Sequence, residues 1–121
     1  MRRLLCDLGL SSDTLAVIEA AQAMPGQGVT SMFSIGKGYG LWLGLLAGLG
    51  IACETVHPRR WSNAMLADVN KGDTKAAAAV VAARLFPLLN LRATDRCRKP
   101  HEGMVDALLI GEWKRRQLPI V

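Results

Sequence analysis

The chain reads as an α/β protein built on a mainly parallel sheet. Two observations carry that assignment. Two short β-type runs, Leu15-Ala16-Val17-Ile18-Glu19 and Ile51 to Val56, are separated by a long apolar segment of helical character. Helical segments then follow the second run. Strand, helix, strand, helix, helix is the order expected of a parallel sheet with crossover connections.

Arg2 to Leu10 reads as the last turns of a helix, with Gly9 as its stop signal. Ser11-Ser12-Asp13 is a turn. Leu15 to Glu19 is a buried strand with an acid at its end. Met24 to Tyr39 is expected to be loop, because Pro25, Gly26, Gly28, Gly36 and Gly38 interrupt it. A helix then runs from about Gly38 to Leu49, apolar on nearly every side, so it is either buried or covered by a partner. Gly40, Gly44 and Gly48 recur every four residues and make one of its faces smooth. Ile51 to Val56 is the second strand, ended by His57-Pro58. A short helix follows over Arg60 to Leu66, then a polar loop from Asp68 to Thr74. An alanine-rich helix spans Thr74 to Phe86 and stops at Pro87. Leu88 to Pro100 is a basic connection, and Gly103 to Arg116 is the final helix.

With 121 residues the chain is long enough for one domain with a single core. A formal charge of +5 favours an anionic partner, of which nucleic acid is the commonest. The distribution of charge says more than the total. Between Ala20 and Cys53 the only charged residue is Lys37. By contrast, Arg92, Arg96, Arg98, Lys99, Lys114, Arg115 and Arg116 crowd the C-terminal part, which is the part expected to meet phosphates. Cys6, Cys53 and Cys97 have neither the number nor the spacing of a disulfide framework or zinc site, so a reducing compartment is expected. The N-terminus lacks a secretory h-region. Leu41 to Ala52 is shorter than the roughly 20 residues that cross a bilayer, and no membrane partner is expected.

The chemistry is carried by Glu102 and Asp106. On a helix they share a face one turn apart, and two carboxylates so placed repel unless a cation lies between them. Hard oxygen ligands suit Mg²⁺. Glu19, at the end of the first strand, offers a third carboxylate. A strand-end acid plus a helix-face acid pair is the beginning of a metal-dependent phosphodiester-cleaving site. The plainer alternative is that the pair only complements the positive end of a helix dipole, and that Glu19 is a strand terminus.

An ordered set of motifs adds to this. Val17-Ile18-Glu19, Ala23-Met24-Pro25-Gly26-Gln27-Gly28-Val29-Thr30-Ser31-Met32-Phe33, Gly36-Lys37-Gly38-Tyr39-Gly40-Leu41-Trp42, Pro58-Arg59-Arg60-Trp61, Lys71 to Lys75, Leu85-Phe86-Pro87 and Glu102 to Ile110 occur in that order. Together they resemble the RuvC family of Holliday-junction resolvases, most of all the branch with the plant chloroplast resolvase and phage or cyanobacterial RuvC-like proteins. The resemblance runs from about Leu15 to Arg116. It implies an RNase H-like fold, a homodimer, and an endonuclease that cuts four-way DNA junctions with Mg²⁺ or Mn²⁺, two ions per site. It assigns metal binding and catalysis to Glu19, Glu102 and Asp106, with Lys75 near the scissile phosphate. DNA contacts would fall to Phe33, Lys37, Tyr39, Arg60, Lys71 and His101. Plainer readings stand beside these: Phe33 as a core residue, Lys75 as a solvated helix-start lysine, His101 as a surface residue. The location implied is a plastid, or the cytoplasm of a bacterium or its phage.

The match has gaps. The family's first catalytic Asp lies on a strand upstream of the Glu19 strand, and that strand and its two antiparallel neighbours are not found here. Asp7, in Leu4-Leu5-Cys6-Asp7-Leu8-Gly9, lacks the strand context to replace it. The chain is therefore expected to be an N-terminally truncated domain, and its activity as it stands is an open alternative to a non-catalytic DNA-binding or dimerising module, or a remnant. Ser62 stands where the family usually has Lys. Ala78 and Ala79 stand where Ser and Arg are common. These changes remove phosphate-contacting groups.

Overall fold

A computed structural model of the chain describes residues 2–11, 13–69 and 72–119, with only the backbone of Arg2 and Leu4. Ser12 of the expected turn and Lys71 of the expected DNA contacts lie outside the described residues. The elements are α1 (Arg2–Asp7), β1 (Leu15–Glu19), α2 (Val29–Gly48), β2 (Ala52–Val56), α3 (Pro58–Met65), α4 (Thr74–Leu85) and α5 (Glu102–Arg115). They fall into two compact units, Met1–Val56 and His57–Val121. Among the described residues no helix is long and apolar enough to cross a membrane.

The first unit is a β1–α2–β2 crossover preceded by α1. β1 and β2 pair in parallel, with Leu15 opposite Ala52 and Glu19 opposite Val56. Alternation along β1 puts Ala16 and Ile18 on the face that meets the helices, where they join Leu5, Leu46 and Ile51 in a small core with Trp42, Leu45 and Cys53. Gly9, at φ 65°, turns the chain out of α1 as expected, and its N–H donates to the Cys6 carbonyl.

α2 begins at Val29, well before the expected start near Gly38, and absorbs Gly36 and Gly38. Each glycine costs about 1 kcal/mol relative to alanine in a helix. Tertiary contacts through Trp42, Leu45, Leu46 and Leu49 outweigh that cost at the C-terminal half. The end of α2 is a Schellman turn: Gly50, at φ 69°, donates to Ala47 and Ile51 donates to Leu46. Ile51 and Leu46 both belong to the small buried core of this unit, consistent with the apolar pairing that accompanies such a turn.

Among the described residues, much of the apolar circumference of α2 is left uncovered. Leu46 is its buried residue, while Val29 is 81%, Phe33 71% and Leu41 56% exposed. Phe33 is therefore no core residue.

The second unit is helical. α3 starts at Pro58, earlier than expected: proline is well placed at the first helical position, and the His57 ring caps the turn by accepting from the Arg59 N–H at 3.1 Å. Trp61 and Met65 of α3 are buried, as are Ala77, Ala78, Val81 and Ala82 of α4 and Val105, Leu109, Ile110 and Trp113 of α5. α5 packs against both other helices. Leu109 has no exposed surface, so its side chain contributes about 1.5–3 kcal/mol by burial alone. Ala78, which departs from the resembled motif, is 2% exposed, so its small side chain is spent on helix packing.

Candidate metal and phosphate site

The second unit forms a cleft of about 420 Å³ between the first turns of α4 and α5, lined by Lys75, Ala79, Lys99, Glu102 and Asp106 among others. Local rules fix each of its walls. Asp73 caps α4, its carboxylate accepting from the N–H groups of Lys75 at 3.1 Å and Ala76 at 3.2 Å. That fixes Lys75 in the first helical turn. His101 caps α5, its Nδ1 accepting from the Met104 N–H at 3.3 Å. The His101 N–H in turn donates to the Leu91 carbonyl at 2.7 Å and ties the basic connection to the start of α5. Glu102 is then the first residue of α5, a favourable place for an acid on the helix dipole, and Asp106 follows one turn later.

α4 brings a positive side chain to one of the two acids. Lys75 Nζ lies 2.7 Å from Glu102 Oε2, with both side chains largely exposed. This pairing was not legible from spacing, because it joins two helices. The hydrogen bond and charge of Glu102 raise the Lys75 pKa above its ordinary value. Asp106 is half-buried; desolvation, then repulsion from Glu102, raise its pKa above the usual carboxylate range, against a smaller pull from Lys75. The site therefore holds more negative charge than it comfortably neutralises.

A second, more open groove of about 700 Å³ adjoins the first and shares Lys99, Pro100 and Glu102 with it. Cys97, Arg98 and His101 line it too. Cys97 meets Thr94 Oγ1 at 3.3 Å, and that contact draws its thiol pKa down. Arg98 and Lys99 were not singled out by motif. The basic run Arg96-Cys97-Arg98-Lys99, directly before the acid pair, was the signal that marks them.

The other candidates are distributed as follows. Glu19 is half-buried at the end of β1, in the first unit, and it is not without interaction partners. Phe33 and Lys37 are exposed on α2, and Tyr39 on the same helix is half-buried. Arg60 is exposed on α3 with its guanidinium carbon 5.8 Å from the centre of the Trp113 ring, a cation–π contact that steadies it. His101 is an exposed helix cap, so the plainer reading of it as a surface residue acquires a structural task. Among the described residues no group of three or more His, Cys, Asp or Glu side chains is gathered for a metal ion.

Two parallel strands joined by a crossover helix in one unit, and a helical unit whose cleft holds paired carboxylates and two lysines, make this a mixed α/β protein. No protein-family model matches the chain. Over 96 residues, 79% of its length, it is 34% identical to the chloroplastic Holliday junction resolvase MOC1 of Chlamydomonas reinhardtii. Those residues make up 10% of that protein, so the chain spans about a tenth of the curated relative it matches. The similarity supports the resolvase family that the motifs suggest.

Proposed function

We propose that the chain is part of a RuvC-type resolvase with an RNase H-like core, and that it hydrolyses phosphodiesters at four-way DNA junctions with Mg²⁺ or Mn²⁺. The observation that carries this reading is the cleft in which Glu102, Asp106 and Lys75 meet beside Lys99. The similarity to a junction resolvase supplies the substrate class.

The donor set fits a hard divalent cation. Mg²⁺ keeps several waters and is held by one or two carboxylates plus substrate phosphate oxygens, so an exposed Glu102 one turn from Asp106 suffices as protein anchor. Glu19 is the third carboxylate that the resemblance implies. A bound ion would supply an activated water and neutralise charge on the leaving oxygen. The chain's own groups do the rest. Lys75 and Lys99 attract the phosphate into the cleft, Arg98 extends that attraction along the adjoining groove, and the caps at Asp73 and His101 hold the two helix starts in place. On α2, exposed Phe33 offers a ring for an unpaired base and Lys37 a charge for the backbone. The exposed apolar side chains and small-residue face of α2 suit a second copy of the chain, giving the homodimer that a symmetric junction calls for. A plastid location follows from the same relationship.

A non-catalytic junction-binding module is the second reading, because the family's first catalytic Asp has no counterpart in the motifs that carry the resemblance. One experiment separates the two. A synthetic four-way junction incubated with the protein and Mg²⁺ or Mn²⁺ is cut at paired positions if the first holds, and Asp106→Asn or Glu19→Gln abolishes the cut. Binding that is steeply salt-dependent, needs no metal and gives no cleavage supports the second reading. A protein that prefers no branched DNA over linear duplex defeats both.

A further inference from the structure

We propose that Lys75 is a built-in competitor for the metal: its ammonium holds Glu102 until a divalent cation displaces it, and the released ammonium then takes the substrate phosphate. The inference rests on the metal-site reading above and concerns how that site is loaded.

The geometry gives Lys75 this role. Its Nζ is 2.7 Å from Glu102 Oε2, so it occupies one of the oxygens a cation would need. Lys75 sits in the first turn of α4, the end of a helix dipole that disfavours positive charge. The Asp73 carboxylate there is already engaged with the backbone N–H groups of Lys75 and Ala76. The ammonium is thus directed by Glu102, the partner that metal would claim. The Lys75 side chain is 73% and that of Glu102 62% exposed, and ion pairs so exposed are worth at most about 1 kcal/mol. Such a pair opens readily when a doubly charged ion arrives. Lys75 lines the same cleft as Lys99, so an ammonium freed from Glu102 remains beside a second cation, where a phosphate oxygen is the natural next partner. Metal occupancy and phosphate capture are then coupled through one side chain.

The test is direct Mn²⁺ binding, followed by water-proton relaxation, to the wild-type protein and to Lys75→Gln, Lys75→Arg, Lys99→Gln, Glu102→Gln and Asp106→Asn. Removing the competing charge in Lys75→Gln tightens Mn²⁺ binding up to about fivefold. Lys75→Arg keeps the charge and stays within about twofold of wild type, and Lys99→Gln changes affinity by less than about threefold, because Lys99 lines the cleft without pairing to Glu102. If Mn²⁺ affinity of Lys75→Gln is unchanged or weaker while Glu102→Gln and Asp106→Asn lose binding, the competitor role is overturned and the metal site stands. If Glu102→Gln and Asp106→Asn bind Mn²⁺ like wild type, the metal site fails and the competitor role fails with it. Circular dichroism of each variant confirms that the comparison is between folded proteins.

Discussion

Asp106→Asn is expected to stabilise the protein in the absence of metal, and to abolish the junction cleavage proposed above. Asp106 is half-buried, and its charged form is disfavoured first by desolvation and then by Glu102 one turn away. Like charges at this spacing cost a helix about 0.2–0.5 kcal/mol. Partial burial lowers the local dielectric below that of water and enlarges the repulsion. Lys75 returns a smaller part, since it pairs with Glu102 and reaches Asp106 only through space. Replacing the carboxylate by an amide of the same shape therefore gains about 0.5–1 kcal/mol at pH 7. For a domain of this size that raises the melting temperature by about 2–6 °C. The assay is thermal unfolding followed by circular dichroism in excess EDTA. A carboxyl whose folded-state pKa is raised destabilises the fold only while it is charged. The gain over wild type should therefore shrink as pH falls through the raised pKa and disappear where both states are protonated. A lower melting temperature for Asp106→Asn at pH 7 would refute the reasoning, because it would mean the carboxylate makes a stabilising bond in the resting protein.

Three further outcomes follow from the second unit. Glu112 is held by Arg115 at 2.7 Å and Arg116 at 2.9 Å, which lowers its pKa to about 2. Its contribution is present above its unfolded value near 4.5 and is lost as pH falls toward 2. Allowing for the exposed arginines, Glu112→Gln should cost about 1–1.5 kcal/mol at pH 7 and nothing at the acid end, read from urea melts across that range. Leu109→Ala should cost about 3–4 kcal/mol, because the side chain is fully enclosed where α5 meets its neighbours; a loss under about 1 kcal/mol would mean α5 is not central to this core. His101→Ala should cost about 1 kcal/mol through loss of the α5 cap, and His101→Ser should restore it. If His101 also meets DNA, His101→Ser keeps stability but weakens junction binding, which fluorescence anisotropy separates from folding.

The elements that rest on short-range rules were readable from the chain. β1, β2, α4 and α5 end within a residue or two of their expected limits, since alternation, the Asp73 cap and Pro87 act locally. The N-terminal half of α2 is helix where its glycines suggest loop. Yet Gly28, Gly36, Gly40, Gly44 and Gly48 share one four-residue spacing, with Val29, Phe33 and Leu41 on another, and those are helical intervals. Pro58 both ends the strand and opens α3, since proline suits the first helical position. At the site, the acid pair was visible from i,i+4 spacing. Its counter-charge was not: Lys75 reaches Glu102 across a tertiary contact, and no single-chain periodicity encodes that. The same holds for Arg60 over Trp113.

Each helix start is secured by its own cap, Asp73 for α4 and His101 for α5, so the geometry of each functional side chain is set locally and stiffly. The charges those starts carry are mutually unfavourable within each element: Lys75 stands at the wrong end of its dipole, and Asp106 repels Glu102. Only when the two starts share one cleft does the cation of one relieve the anions of the other, and then only in part, as the raised Asp106 pKa shows. A fold selected for stability alone would place an apolar or neutral residue at 106, where half-burial already penalises charge. Keeping two carboxylates there, beside a largely exposed lysine, costs stability in the resting protein, and the divalent cation proposed above would offset that cost by neutralising both.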